Sequence, residues 1–269
     1  MPELPEVETV RKVLKKEVLN KKILSASVYW SNIIAYPEVK EFEKKIKNQS
    51  ILDINRYGKW LMFELNDYYL LSHLRMEGKY FIRNVKDKRE KHEHVIFHFS
   101  DNTDLRYNDT RKFGKMYLIK KEEVYNVKPL KDLGLEPWDK NLTVDYLKDK
   151  FHHKPIKTEL LDQSIIVGIG NIYADEILFM GKLNPLKLAD TLTKKDYQNI
   201  IDNTRNILSK AIENGGTTIK SYTSSEGVHG RFQSELLVHT KKQCPICKNK
   251  ITKITVGGRG TYYCENCQK

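Results

Sequence analysis

The 269 residues predict an α+β protein in several parts: a two-layer β structure with a helix packed on it, a helical region, and a small terminal unit. Three observations predict this. Short apolar segments bounded by turn residues recur between positions 23 and 120. The composition shifts at about 126–141, where Lys128-Pro129 and Leu133-Gly134-Leu135-Glu136-Pro137 have linker chemistry. All four cysteines fall in the last 26 residues.

The first element is a helix over 5–19. Val7, Val10, Leu14 and Val18 share one face at helical spacing, Pro5 suits a first turn, and Glu6 and Glu8 suit the positive helix N-terminus. Strands follow at 23–29, 59–65, 68–75, 94–99 and 115–120. Beyond the linker, helices are expected at 143–151, 157–166, 171–180 and 193–213. The last opens on Thr193 as N-cap and ends at Gly215-Gly216. Residues 217–235, rich in Ser, Thr and Gly, read as a long loop, a kind that in compact domains is usually functional or disordered. The predicted parts are 1–130, 131–235 and 236–269.

Lys+Arg number 47 against 35 Asp+Glu, a net charge of +12 that points to a polyanionic partner, most often nucleic acid. A run of about 18 apolar residues, which a membrane helix needs, does not occur. The acidic, proline-containing start MPELPEVETV is not a secretory signal. Cysteines confined to two Cys-x-x-Cys pairs read as a metal site in a reducing cytosol.

Cys244-x2-Cys247, sixteen residues, then Cys264-x2-Cys267 is the spacing of a four-thiolate zinc site, favoured over a redox pair or idle cysteines. With every position filled by protein, one Zn2+ is structural, and no organic cofactor is called for. Between the pairs, 251–256 and 261–263 read as a hairpin turning through Gly257-Gly258-Arg259-Gly260. The last 29 residues carry seven Lys/Arg and one Glu, or +6, and four thiolates with Zn2+ leave +4. That charge suits phosphate, although a ribbon used for protein contact has the same cysteines.

Removal of Met1 would make Pro2 a free secondary amine. An α-amino group titrates near 7.7–8.0, so a useful share is unprotonated at neutral pH. Such an amine can attack a sugar aldehyde carbon and form an iminium. The helix N-terminus disfavours its ammonium form, whereas Glu3 and Glu6 favour it. Glu3 is placed to donate or accept a proton. Gly168-Ile169-Gly170-Asn171 opens an apolar-periodic helix. It reads either as a phosphate cradle with Asn171 as cap and ligand, or as a plain capped turn.

Seven ordered motifs now carry a resemblance: MPELPEVETV (1–10), GKW (58–60), SHLRMEGKY (72–80), EKHEHV (90–95), YNDTRKFG (107–114), GIGNIYADE (168–176) and GRGTYYCENCQ (258–268). Together with the cysteine spacing, and from end to end, the chain resembles the bacterial formamidopyrimidine-DNA glycosylases, which excise 8-oxoguanine and ring-opened purines. The resemblance implies an N-terminal β-sandwich, a helix–two-turns–helix domain and a zinc finger. It also implies a monomeric cytoplasmic enzyme, associated with the bacterial nucleoid, acting on damaged double-stranded DNA.

Site roles follow by resemblance. Pro2 is the nucleophile at C1′, Glu3 handles protons, Lys59 is a further acid/base facing phosphate, and Arg259 clamps phosphate and donates a proton late in elimination. Met76, Arg111 and Phe113 fill the gap left by a flipped nucleotide, as their types suit: wedges from Met and Phe, an orphan-base contact from Arg. Core packing in β-strands is the other reading of Met76 and Phe113. His92, Lys154, Lys157 and Asn171 match DNA contacts, and the loop at 221–232 matches the segment that closes over the flipped base. Thr110, Lys112 and His153 stand where the family usually has Pro, often Arg, and often Lys. Two other readings are an endonuclease VIII-type enzyme for oxidised pyrimidines and a non-catalytic zinc-ribbon DNA binder.

Overall fold

A computed structural model describes residues 1–217 and 231–269. These divide into two compact units, one of 1–2 and 6–131, the other of 3–5, 132–217 and 231–269.

The first unit holds most of helix α1 (Leu4–Val18), with β1 (Ile23–Val28), β2 (Ile34–Tyr36), α2 (Val39–Ile46), β3 (Asp53–Tyr57), β4 (Trp60–Glu64), β5 (Tyr68–His73), β6 (Lys79–Asn84), β7 (Glu93–Phe99), β8 (Thr103–Asn108) and β9 (Lys115–Lys120). One sheet runs β1-β7-β8-β6, all antiparallel. The other runs β2-β9-β5-β4-β3, antiparallel except for the parallel pair β2–β9. Side chains of both sheets form one apolar core with α1, whose Val7, Val10, Leu14 and Val18 are at most 1% exposed. Each such burial contributes roughly 1.5–3 kcal/mol.

Four strands and one helix of this unit lie where no element was expected. Strand β8 is the instructive one: its Asp104 and Arg106 are buried, and Arg106 binds Asp104 and Glu93 at 2.9 and 3.1 Å. Its core-facing residues are Leu105 and Tyr107, and the opposite face carries the ion network, so the strand offers only two apolar residues to read.

The second unit holds α3 (Val144–Lys150), α4 (Ile156–Leu160), α5 (Asn171–Met180), α6 (Lys194–Glu213), α7 (Phe232–Glu235) and the hairpin β10 (Thr252–Val256)–β11 (Arg259–Tyr263). Thr193 caps α6 in a reciprocal capping box with Asp196. Its end is a Schellman turn: Gly216 N–H donates to the Ala211 carbonyl at 2.7 Å and Gly215 to Ile212 at 3.2 Å, with both glycines at positive φ. The expected helix 157–166 stops at Leu160. There Asp162 accepts the Ser164 N–H and Gln163 accepts the Gly168 N–H, side chains competing for backbone donors.

Candidate active site

Helix α5 opens with Gly170 as N-cap, and its free N–H groups are taken by Glu3. The Glu3 carboxylate accepts from Gly170 N at 2.8 Å, Ile172 N at 2.9 Å and Tyr173 N at 3.3 Å, and is 3% exposed. The glycines of GIGN make room for it. A Cβ on Gly170 would collide with the Glu3 carboxyl. Gly168 has φ +93°, and a Cβ there would strike Leu4, whose N–H donates to the Gly168 carbonyl at 3.1 Å. Pro2 is thereby the chain neighbour of a residue whose carboxylate is fixed in position by three backbone donors.

This corrects the reading of Asn171 as the cap of a phosphate cradle. It is the first helical residue rather than the cap, and the N–H groups that would cradle a phosphate already hold a carboxylate. Asn171 Nδ2 donates to the Gly260 carbonyl at 2.9 Å, and its buried Oδ1 has no hydrogen-bond partner among the described residues.

Lys157 is corrected likewise. Its side chain has no exposed surface, and its ammonium lies 2.5 Å from Asp175 Oδ1 and 3.4 Å from the Gly260 carbonyl. Burial, outweighing Asp175, pushes its pKa below the usual lysine range. It joins α4 to α5 instead of offering a surface charge to phosphate. Asp175 also binds His239 Nδ1 at 2.6 Å and the Tyr262 N–H at 3.2 Å. This cluster is not legible in the sequence, because its members lie far apart in the chain. Lys154 is exposed.

The terminal hairpin turns through two residues, Gly257-Gly258, at φ +55° and +73°, so Arg259 is the exposed first residue of β11 instead of a turn residue. Its root is the cysteine cluster. Cys244, Cys247, Cys264 and Cys267 place their sulfurs within 4.8 Å of one another, with pairs at 3.4 and 3.8 Å. Zinc–sulfur bonds of about 2.3 Å in a tetrahedron put sulfurs about 3.8 Å apart, so the four thiolates fit Zn2+. The chain binds a structural Zn2+ through them, and this is the one such cluster among the described residues.

In the first unit, Lys59 is 6% exposed in the β3–β4 turn, after Gly58 at φ +55°. Arg56 fixes that turn by donating to the Gly58 carbonyl at 2.9 Å, and is itself held by Glu8, which Arg11 also grips at 2.7 Å. Burial raises the Glu8 pKa, but the two guanidiniums outweigh it and the net shift is downward. His73 stacks edge-on against Trp60. Burial, then the charges of Arg75 and Lys59, push His73 down to about 3, which makes it a neutral acceptor for the Arg75 N–H at 3.0 Å.

Met76 and Phe113 are 39% and 49% exposed, and Arg111 lies over the Phe113 ring at 4.8 Å. They stand on two loops, 74–78 and 109–114, rather than in the core. His92 is half-buried, with Nδ1 lacking a partner among the described residues. Residues 221–230 of the expected closing loop lie outside the described residues. Phe232, at its end, is buried against Tyr173.

A sheet unit with exposed apolar loops, a helical unit whose α5 N-terminus grips Glu3, and a four-cysteine hairpin define a protein in the mould of the DNA-lesion glycosylases. The models for the formamidopyrimidine-DNA glycosylase N-terminal domain, its H2TH domain, and the zinc finger found in FPG and IleRS match residues 1–116, 133–223 and 241–269. A formamidopyrimidine-DNA glycosylase of Shouchella clausii is 47% identical over all of this chain and 99% of its own. The Lactococcus lactis Fpg bound to abasic-site DNA is 37% identical, with a TM-score of 0.91 over 99% of both chains. A mutant of it bound to Fapy-dG DNA reaches a TM-score of 0.93 over all of both chains. The chain belongs to the formamidopyrimidine-DNA glycosylase family.

Proposed function

We infer that this protein is a base-excision repair enzyme that removes oxidised purines, 8-oxoguanine and formamidopyrimidines, from duplex DNA and then cleaves the abasic strand. The observation that carries this reading, beside the family, is the Glu3 carboxylate seated on the α5 N-terminus, one residue along the chain from Pro2.

Once Met1 is removed, the Pro2 nitrogen lone pair attacks C1′ of the extruded nucleotide. The C1′–N bond breaks and the base leaves with its electron pair, collecting a proton. Glu3 moves the proton that opens the sugar ring at O4′, which gives a C1′ iminium on Pro2. Loss of a C2′ proton expels the 3′ phosphate, and a second elimination expels the 5′ phosphate. Lys59 serves as a further acid/base, and Arg259 holds phosphate and supplies a late proton. Met76, Arg111 and Phe113 occupy the gap in the duplex, while His92, Lys154 and Asn171 contact its backbone.

The working parts are 1–130 for catalysis, 131–235 for DNA binding and 236–269 as zinc finger, in a monomer acting in the bacterial cytoplasm at the nucleoid. Among the described residues no helix is long and apolar enough to cross a membrane. Borohydride in the presence of an abasic or 8-oxoguanine:C duplex is expected to freeze a covalent protein–DNA adduct through Pro2. No adduct from Met1-free protein would overturn the enzymatic reading, and faster cutting of thymine-glycol than 8-oxoguanine duplexes would overturn the substrate.

A further inference from the structure

Both loops that carry the gap-filling residues rest on one buried pair. Tyr107, on β8, has no exposed surface, and its hydroxyl donates to Asp109 Oδ2 at 3.4 Å. A Cβ on Gly78, at the end of the Met76 loop, would collide with that hydroxyl, and so would a Cβ on Gly114, at the end of the Arg111–Phe113 loop. Asp109, equally buried, accepts the Arg111 N–H at 3.0 Å on one oxygen and the Gly114 N–H at 2.8 Å on the other. Its own N–H donates to the His92 carbonyl at 3.0 Å, and its carbonyl lies 3.0 Å from His94 Nε2.

The loops need such a support. Arg75 and Lys112, each next to a gap-filling residue, are non-glycine residues in the left-handed region at φ +51° and +60°. The Arg75 N–H is held by His73 and the Lys112 N–H by the Asp109 carbonyl at 3.2 Å. Burial, reinforced by Asp109, pushes the Tyr107 pKa well above its ordinary value, so the hydroxyl remains a donor.

We propose that Tyr107 and Asp109 are positioning residues for nucleotide extrusion, locking loops 74–78 and 109–114 into one rigid two-pronged insert. The proposal rests on the gap-filling role given above to Met76, Arg111 and Phe113. Extrusion costs unstacking energy, which an insert already in its bound shape can offset and a loose one cannot. Neither residue touches DNA, and neither moves a proton in the reaction.

The test uses Tyr107→Phe and Asp109→Asn in the full zinc-loaded chain. In Asp109→Asn, an amide N–H2 faces a backbone N–H, donor against donor. Two signals are read: stopped-flow fluorescence of 2-aminopurine beside the lesion, and single-turnover cleavage of 8-oxoguanine:C against an abasic duplex in which no base must be unstacked. Both variants should slow the fluorescence rise and 8-oxoguanine excision, Asp109→Asn by about tenfold or more, yet leave abasic cleavage within about twofold. An equal loss on both substrates, or no loss, overturns the proposal. Should Asp109→Asn not fold, Tyr107→Phe, which keeps the ring, decides alone. Met76→Ala and Phe113→Ala separate the two readings. If they leave the fluorescence unchanged, the gap-filling role falls and the proposal with it. If they abolish it while Tyr107→Phe does not, only the positioning role falls.

Discussion

The start of α5 and the loop at 109–114 face the same problem, backbone N–H groups turned into a dry interior, and both solve it with a carboxylate. The distance along the chain separates them. Asp109 reaches donors two and five residues on, whereas Glu3 reaches donors 167 to 170 residues on. Glu176 is intermediate, accepting from Leu237, Val238 and His239, 61 to 63 residues away. A local carboxylate shapes a loop. A distant one fixes where two remote segments meet, and at Glu3 that also fixes the residue beside Pro2.

The sharpest way to break this comparison is Glu3→Gln. The change places an amide N–H2 among three N–H donors and removes the proton-transfer group proposed for excision. Single-turnover excision of 8-oxoguanine should fall by about 10²–10⁴-fold. Borohydride trapping should fall with it, and a loss below about threefold would show that the carboxylate serves packing alone. Gly170→Ala tests the seat without touching the carboxylate. Its Cβ would collide with the Glu3 carboxyl, so the side chain or α5 must shift, at about 1–3 kcal/mol by thermal or urea unfolding. Excision should drop more than DNA binding does.

Glu176→Gln applies the same substitution where no chemistry is expected. It should cost about 1–3 kcal/mol in stability, the price of leaving a buried donor unmade. It should also speed zinc release to a chromophoric chelator, since segment 237–239 leads into Cys244. Per-molecule cleavage by the zinc-loaded protein should stay near normal. A large catalytic defect there would blur the contrast with Glu3.

These distances also decide what the chain revealed on reading. The Cys-x2-Cys pairs, the Thr193 cap and the Gly215-Gly216 stop are local patterns whose partners sit within a few residues, and the structure has them where they were expected. The α1 stripe was legible for the same reason, as helical spacing is set by the chain itself. Asn171 misled because a cap-forming residue stood at a helix start, while the acceptor came from the other end of the polypeptide. Lys157 misled because a lysine in a basic segment gives no hint of Asp175, eighteen residues on, or of the Gly260 carbonyl. Met76 was compatible with core or surface, Phe113 before Gly114 leaned to the surface, and the loops carrying them decide.

The smallest expected effect concerns a carboxylate satisfied by cations instead of N–H groups. Glu8 is gripped by Arg11 and Arg56, and Arg56 in turn holds the turn that carries Lys59. Burial raises its pKa, the guanidiniums outweigh that, and the folded-state value lies below the ordinary 4.5. A depressed acid stabilises the fold above its unfolded pKa, and that contribution disappears as pH falls through the folded one. Wild type and Glu8→Gln should therefore differ most in stability at neutral pH and converge below about pH 4. Urea unfolding at a series of pH values checks this. Because the cluster is partly open to solvent, the neutral-pH difference should be about 1 kcal/mol, smaller than for Glu176. A gap that widens toward acid pH would mean that Glu8 folds as the neutral acid, and Arg56 would then need another anchor for the Gly58–Lys59 turn.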